Sequence, residues 1–483
     1  MGSLPAAEAK KPINLLWGKP SPSLIPTDQM GAAAQKVFSN PTIAIAGMQY
    51  GDSPHAGYVP LRQRLSAYLS GFYGCPSDPN HLCITGGASQ GLTVILQTLS
   101  DPIATKAVWM TSPCFFAARK VFEDGGLTGK LRGVNELDDG SIDLEYLERE
   151  MAKLENQPKT NIVRVIEFPI LSRTLRDHPT AITQKSYTHL IYIVPTFSNP
   201  SGKSMPLACR EALVSLARAH NALVISDDIY DMLQWPSPGN EFTSPIPLSS
   251  ISPIPRLIDI DRALPNHPSD PYGFRHTLSN GSFSKIVGPG VRTGWVDAAP
   301  ALVRALAGCG ATLAGGCPSQ LVATMLAELM DHGWLEKHVR ETLVPAYQKR
   351  RALMVEAVNR QLEGLGGGVV DVNDGGLVGG YFVWVKLPER VRATDVARVA
   401  KEQEALAVPP GPLFGVAWDE QEMDLEGFVR LSFSYEEESN LTEGAMRLGK
   451  VVKSLLDTAD KMDPDSVDSR HLDSTGFGGE PNR

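Results

Sequence analysis

The chain is poor in cysteine: six in 483 residues, at positions 75, 83, 114, 209, 309 and 317. None forms a C-x-x-C pair or another metal-ligand spacing, which excludes a disulfide scaffold and a zinc module. Reduced thiols in a cytoplasmic protein are the expectation. Long apolar runs are missing too. Residues 190–197 make a run of only eight, far short of the roughly 18 that a membrane-spanning helix needs. The opening MGSLPAAEAKKP has no apolar segment of the signal-peptide kind, and Ala6 stands where a myristoylation signal needs Ser or Thr. There is no basic excess. With 45 Lys+Arg against 54 Asp+Glu the formal charge is -9, so a surface built for nucleic acid or an anionic membrane is not expected. Residues 457–483 hold seven acids and three bases, which places -4 of that charge in the last 27 residues.

What is present is enough apolar residue to bury a large core. At 42% hydrophobic and 20% charged, the chain has the composition of a globular protein of two or three core-sized units. Short β-branched runs alternate with turns and helical periodicity. Residues 81–85 (HLCIT) lead through GGASQG into LTVILQTL, and 190–194 (LIYIV) lead through PTFSNPSGKS into a helix. In that helix Cys209, Leu213, Leu216 and Ala217 share a face. Strand–helix alternation predicts βαβ units and a mainly parallel sheet, with ligands at the carboxyl ends of its strands. Two segments interrupt the pattern. Residues 155–187 read as a polar insertion. Residues 235–271, with nine of the 37 prolines, read as an ordered loop without regular helix. Beyond about residue 335 a second α+β unit is expected, with a strand at 381–385, a helix near 393–406 and a strand at 429–434. The tail from Asp457 reads as disordered.

Gly87-Ala88-Ser89-Gln90-Gly91 matches G-x-S-x-G between a strand and a helix, the setting of a hydrolase nucleophile elbow with Ser89 as nucleophile. It reads equally as a phosphate cradle at a helix N-terminus, or as a plain turn. Residues 281–286 (GSFSKI) and 289–294 (PGVRTG) are more specific. Lys285 lies among small residues, where a desolvated amine has a lowered pKa and acts as a Schiff-base nucleophile. Ser282, Ser284 and Arg292 supply donors and charge for a phosphate.

Residues 282–295 (SFSKIVGPGVRTGW) resemble the cofactor-lysine segment of class I/II aminotransferases, the fold-type I enzymes that depend on pyridoxal 5′-phosphate. Four further segments follow in the family's pattern. Residues 199–202 (NPSG) resemble its NPTG turn and 227–230 (DDIY) its D-x-x-Y strand end. Residues 379–384 (GGYFVW) resemble its small-domain strand and 430–434 (RLSFS) its C-terminal segment. The likeness is nearest to the 2-aminoadipate and kynurenine aminotransferase branch.

The resemblance implies a role for each of these residues. Lys285 holds the cofactor and then moves a proton. Asp227 pairs with the pyridine nitrogen, and Asn199 and Tyr230 hydrogen-bond the ring's 3-oxygen. Phe115, in a P-x-Y/F-like triplet, stacks on the ring. The backbone of Ala88 and Ser89, with Ser282, Ser284 and Arg292, holds the phosphate. Tyr50 reaches the phosphate of a neighbouring subunit, Arg430 takes the substrate carboxylate, and Gly18 lies in a segment that closes over the substrate. Asp228, on the opposite face of its strand, is expected to take no part.

The implied architecture has four parts. An N-terminal segment of residues 1–50 contributes to the small domain and to closure, and residues 51–330 form a large cofactor-binding domain on a mostly parallel seven-stranded sheet. Residues 335–456 form a small α+β domain, and residues 457–483 a tail. The implied reaction is ping-pong amino transfer between an amino acid and a 2-oxo acid by a homodimer, in primary or specialised metabolism, with no metal, nucleic-acid or membrane partner. A C–S β-lyase on the same fold, a serine hydrolase through Ser89 and a non-catalytic regulator are the rival readings. Lys10, Lys11 and Lys19 are candidates for a substrate's distal carboxylate.

Overall fold

A central sheet organises the computed structural model, which describes residues 10–51, 55–156, 185–237, 254–370, 376–416 and 424–462. In chain order its strands are β1 (Leu82–Thr85), β2 (Ala107–Ser112), β3 (Leu131–Asn135), β4 (His189–Ile193), β5 (Ala222–Asp227), β6 (Thr277–Ser282) and β7 (Gly294–Asp297). Their spatial order is β1-β7-β6-β5-β4-β2-β3. Strand β7 runs antiparallel to both neighbours, and every other pair is parallel. The sheet is covered on both faces, which is why AVWMTS, HLIYI and ALVISD are near-continuous apolar runs. Alternation sorts their side chains between two cores. Val108, Met110, Leu190, Tyr192, Leu223 and Ile225 join the core that includes helix α1 (Ala88–Leu99). Trp109, Ile191, Ile193 and Val224 join the one under helix α2 (Leu207–Ala219), where Cys209, Leu213, Leu216 and Ala217 form the expected face.

A three-stranded antiparallel sheet follows in the C-terminal part, with Phe382–Lys386 between Gly368–Val369 and Phe428–Ser432. The N-terminal segment divides between the two bodies. Ile13–Asn14 pairs with Leu406–Ala407 beside this sheet, whereas helices Thr27–Ser39 and Pro41–Met48 pack on helix Gln320–Asp331.

Two expectations are corrected. The proline-rich stretch contains a helix, Leu257–Ala263. Its seven residues LIDIDRA carry no proline, and Pro255 and Pro265 lie just outside its ends, where they bound a helix without breaking it. The residue before it, Arg256, is buried against Asp259 and Asp297, which fastens the segment to β7. The last helix, Glu438–Met462, runs past Asp457, because Leu448, Val451 and Val452 in the core and Leu455 packed on it continue an apolar stripe. Most of the two interruptions (157–184 and 238–253) and the tail from 463 lie outside the described residues. Among the described residues no helix is long and apolar enough to cross a membrane.

Parallel strands bring their carboxyl ends to one edge, so Ser112, Asp227 and Ser282, and the turn from β1 into α1, share that edge. Gly281 on β6 lies under the indole of Trp295, where a Cβ would stand 2.1 Å from a ring carbon. Gly281→Ala is expected to destabilise the fold by about 1–3 kcal/mol through overpacking, measured by denaturant unfolding. An unchanged midpoint would contradict this packing.

Candidate active site

At that edge a cavity of about 170 Å³ is lined by Asp227, Tyr230, Lys285, Asn199, Phe115, Arg430 and Gly18. These seven sequence-predicted residues come from six separate stretches of chain. Lys285 ends a 3₁₀ turn, Phe283–Lys285, whose N-cap Ser282 accepts from the Ser284 amide at 3.1 Å. Its Nζ donates to the Gly18 carbonyl at 2.6 Å and lies 5.2 Å and 5.6 Å from the ring centroids of Tyr381 and Tyr230. Burial pushes the ammonium down to about 8, against the pull of Asp227 and with some help from Arg430. An amine that titrates there has a substantial neutral, nucleophilic fraction near physiological pH.

Asp227 is the last residue of β5 and is 5% exposed. Its Oδ2 accepts from the Tyr192 hydroxyl at 2.7 Å, and its Oδ1 from the Asn280 amide at 3.4 Å. Burial raises its carboxyl to about 7, against the Tyr192 hydrogen bond and the charge of Lys285. Asp228 points elsewhere, as strand geometry requires. It accepts from the hydroxyls of Ser226 and Ser279 and is no part of the cavity wall.

Arg430, on the strand opposite Trp384, is 2% exposed. Its guanidinium lies 4.0 Å from the ring centroid of Phe382 and 4.8 Å from that of Phe414. Nη1 donates to Asn199 Oδ1 at 2.8 Å and Nη2 to the Leu16 carbonyl, while Nε is buried with no hydrogen-bond partner. Burial lowers this guanidinium to about 9. No ion pair to a carboxylate of the described residues neutralises it. Burial raises the Tyr230 phenol, against the Arg430 charge and an Asn199 hydrogen bond. Gly18 leaves no room for a side chain, since a Cβ would stand 2.4 Å from Phe382 Cζ.

The turn expected to cradle a phosphate lies between β1 and α1, outside the cavity wall. Gly87 takes φ 95° and no side chain caps the helix, so the first N–H groups, including those of Ala88 and Ser89, are open to an anion. Arg292, itself left-handed at φ 46°, donates to the Gly86 carbonyl at 2.6 Å. A Cβ on Gly87 would stand 2.9 Å from its Nη2. The Ser282 and Ser284 hydroxyls are 3.0 Å apart, and Asn280 ties β6 to the Ala88 carbonyl at 3.0 Å. Ser89 is an exposed residue of the first helical turn. No histidine among the described residues hydrogen-bonds it, so the hydrolase elbow lacks its base.

Tyr50 stands apart. It is 77% exposed and lines a separate surface hollow with Met48, Gly316 and Gln320. Of the lysines considered for a distal carboxylate, Lys10 is paired with Glu404, and Lys19 stands over the rings of Trp17 and Tyr435. The sequence reading missed Tyr192 and the apolar wall of Leu16, Trp17, Phe116, Ile229 and Phe382. Ile229 and Phe382 lay inside quoted motifs, Phe116 follows the Phe115 triplet and Trp17 precedes Gly18, but Leu16 carries no signal that separates it from core.

Because the Asp227 carboxyl titrates near 7 when folded and near 4 when unfolded, the unfolded chain loses this proton first. In the ligand-free protein the group therefore subtracts stability progressively as pH rises from about 4 to about 7. Asp227→Asn is expected to melt a few degrees above wild type at pH 8 and to lose that advantage at pH 4.5, by differential scanning fluorimetry. A difference independent of pH would contradict the burial effect.

Comparison with known proteins identifies the family. The family model "Aminotransferase class I and II" matches residues 23–448. An uncharacterized protein of Saccharomyces cerevisiae is 30% identical over 460 residues, covering 92% of this chain and 97% of its own. The 2-aminoadipate transaminase of Thermus thermophilus is 26% identical over 446 residues, 92% of this chain and 91% of its own. The crystal structure of Pyrococcus horikoshii kynurenine aminotransferase matches with a TM-score of 0.69 at 25% identity, over 93% of this chain and 92% of that one. The chain belongs to the class I and II aminotransferases, enzymes of fold type I whose cofactor is pyridoxal 5′-phosphate.

Proposed function

We propose that the enzyme transfers an amino group from an amino acid to a 2-oxo acid in two half-reactions through one site. The carrying observation is the meeting of Lys285, Asp227 and Arg430 on one cavity, a nucleophilic amine between a buried acid and an uncompensated guanidinium. The open α1 N-terminus and the Gly87–Arg292 cradle fit a phosphate. Lys285 would hold the cofactor covalently, Asp227 its ring nitrogen, and Asn199 and Tyr230 its 3-oxygen. Phe115 would lie on the ring, and Ala88, Ser89, Ser282, Ser284 and Arg292 would hold the phosphate. When bound, pyridoxal phosphate supplies an electron-withdrawing ring that weakens the substrate's Cα–H bond.

The chain's own residues do the rest. Arg430 grips the α-carboxylate and fixes the substrate's orientation. Lys285, as a neutral amine, takes the substrate's Cα proton and would deliver it to C4′ of the cofactor. Gly18 and Trp17 close the cavity to water, and the apolar wall surrounds the substrate side chain.

The same reading makes the enzyme a homodimer, with Tyr50 of a second copy of the chain reaching the phosphate. Tyr50 lies outside its own chain's cavity, and Ile45, Met48 and Leu313 are exposed large apolar residues on the nearby helices. Cytoplasmic location is supported by six unpaired thiols, and the acidic balance argues against a nucleic-acid partner.

Holoenzyme mixed with an amino acid alone should release one equivalent of 2-oxo acid per site and stop, and a 2-oxo acid should restart it. Continuous pyruvate and ammonia without an acceptor would replace this reading with β-elimination. Lys285→Ala should lower kcat by about 10²–10⁴-fold. Covalent recapture of pyridoxal phosphate by stripped wild-type chain, fixed with borohydride, should speed up as pH rises through about 8 and be absent in Lys285→Ala. Arg430→Lys should lower kcat/KM by about 10–100-fold, chiefly through KM, since a point charge cannot replace a planar fork.

A further inference from the structure

Tyr192 is a buried aromatic one residue from the carboxyl end of β4, 1% exposed, and no part of the cavity wall. Its register explains its reach. Tyr192 is the partner of Ile225 on β5, and Asp227 is two residues further along the same face, a diagonal neighbour within range of a long side chain. The phenol ring packs edge-on against Phe122 at 5.7 Å, and its hydroxyl donates to Asp227 Oδ2 at 2.7 Å. The direction of that bond is set by the surroundings. Burial and the adjacent carboxylate keep the phenol protonated, and the nearby Cys114 thiol is pushed up to about 12 by burial and is neutral. The Tyr192 proton therefore goes to Asp227. Among the described residues the other carboxylate oxygen receives the longer Asn280 contact, at 3.4 Å.

We propose that Tyr192 is a positioning residue: its hydroxyl holds the Asp227 carboxylate as an anion, turned to receive the ring nitrogen of the cofactor. The proposal rests on the reading that Asp227 pairs with that nitrogen. A hydrogen bond to the charged form of an acid favours that form, and the groups that face Asp227 show why one is needed. Asp228 repels the charge from the same strand end and burial opposes it, while Lys285 supports it. The Tyr230 phenol lies nearby as well. Lys285 is the group whose charge changes during the reaction, so Tyr192 is the constant support. A buried strand tyrosine thus links the sheet's packing to the cofactor's electronics without lining the cavity.

The test is cofactor retention by holoenzyme across pH, read by equilibrium dialysis of pyridoxal phosphate, with melting temperature followed in parallel. Tyr192→Phe keeps the ring against Phe122. It should weaken retention about tenfold at pH 7.5 and move the acidic midpoint of retention up by about one pH unit. In the Asp227→Asn background the same change should be silent, because Tyr192 acts through that carboxylate. A second variant, 3,5-difluorotyrosine placed at position 192, donates more strongly and should move the midpoint down. A purely structural role would lower the melting temperature equally in both backgrounds and leave the midpoint in place, which would overturn the proposal. Failure of the underlying reading looks different: Asp227→Asn alone would then retain the cofactor as wild type does.

Discussion

Three ionisable groups are held out of water around one cavity, and each has its charge made expensive by burial. The Asp227 carboxyl is raised to about 7, the Lys285 ammonium lowered to about 8 and the Arg430 guanidinium lowered to about 9. In water none of these groups would be reactive or in need of a partner. Desolvation makes the amine a nucleophile at neutral pH and makes the charge of an unpaired guanidinium costly. The fold carries that cost through the rest of its buried framework. Arg256 is anchored to Asp259 and Asp297, two covered sheet faces bury continuous apolar strands, and the C-terminal sheet presents Arg430 between two phenylalanine rings.

Topology then decides which groups meet. Parallel strands deliver their carboxyl ends to one edge, so Asp227 and the turn carrying Lys285 follow adjacent strands, β5 and β6. The turn after β1 sits across β7 from them. Arg430 arrives from a different sheet, and Gly18 from the N-terminal segment held beside Leu406–Ala407. The Lys285–Gly18 and Arg430–Leu16 hydrogen bonds tie that segment to the two catalytic candidates at once. Access to the cavity and the placement of its charges are therefore mechanically linked.

Much of this was legible in the sequence. Lys285 and Arg292 among glycines and serines, Asp227 and Tyr230 at a strand end, and Arg430 in its short strand are polar residues in places where packing alone does not ask for them. Tyr192 was not legible, because a tyrosine inside LIYIV reads as core and its partner is set by strand register, which local pattern does not contain. The helix Leu257–Ala263 was hidden by averaging proline over 37 residues when its own seven have none. The extra turn and a half after Asp457 was hidden because composition turns acidic before the apolar stripe has lost its influence. Tyr50 had a motif-based role but lies on exposed surface, outside its own chain's cavity.

The central claim is that Lys285, as a buried neutral amine, carries the substrate's Cα proton. Proton NMR of an excess of amino acid incubated with holoenzyme in D₂O measures that step with no more than one equivalent of 2-oxo acid formed per site. Wild-type enzyme should replace the Cα hydrogen with deuterium, and Lys285→Ala, reloaded with pyridoxal phosphate, should exchange it slower by about 10²–10⁴-fold. Exchange by the variant at the wild-type rate would contradict the account.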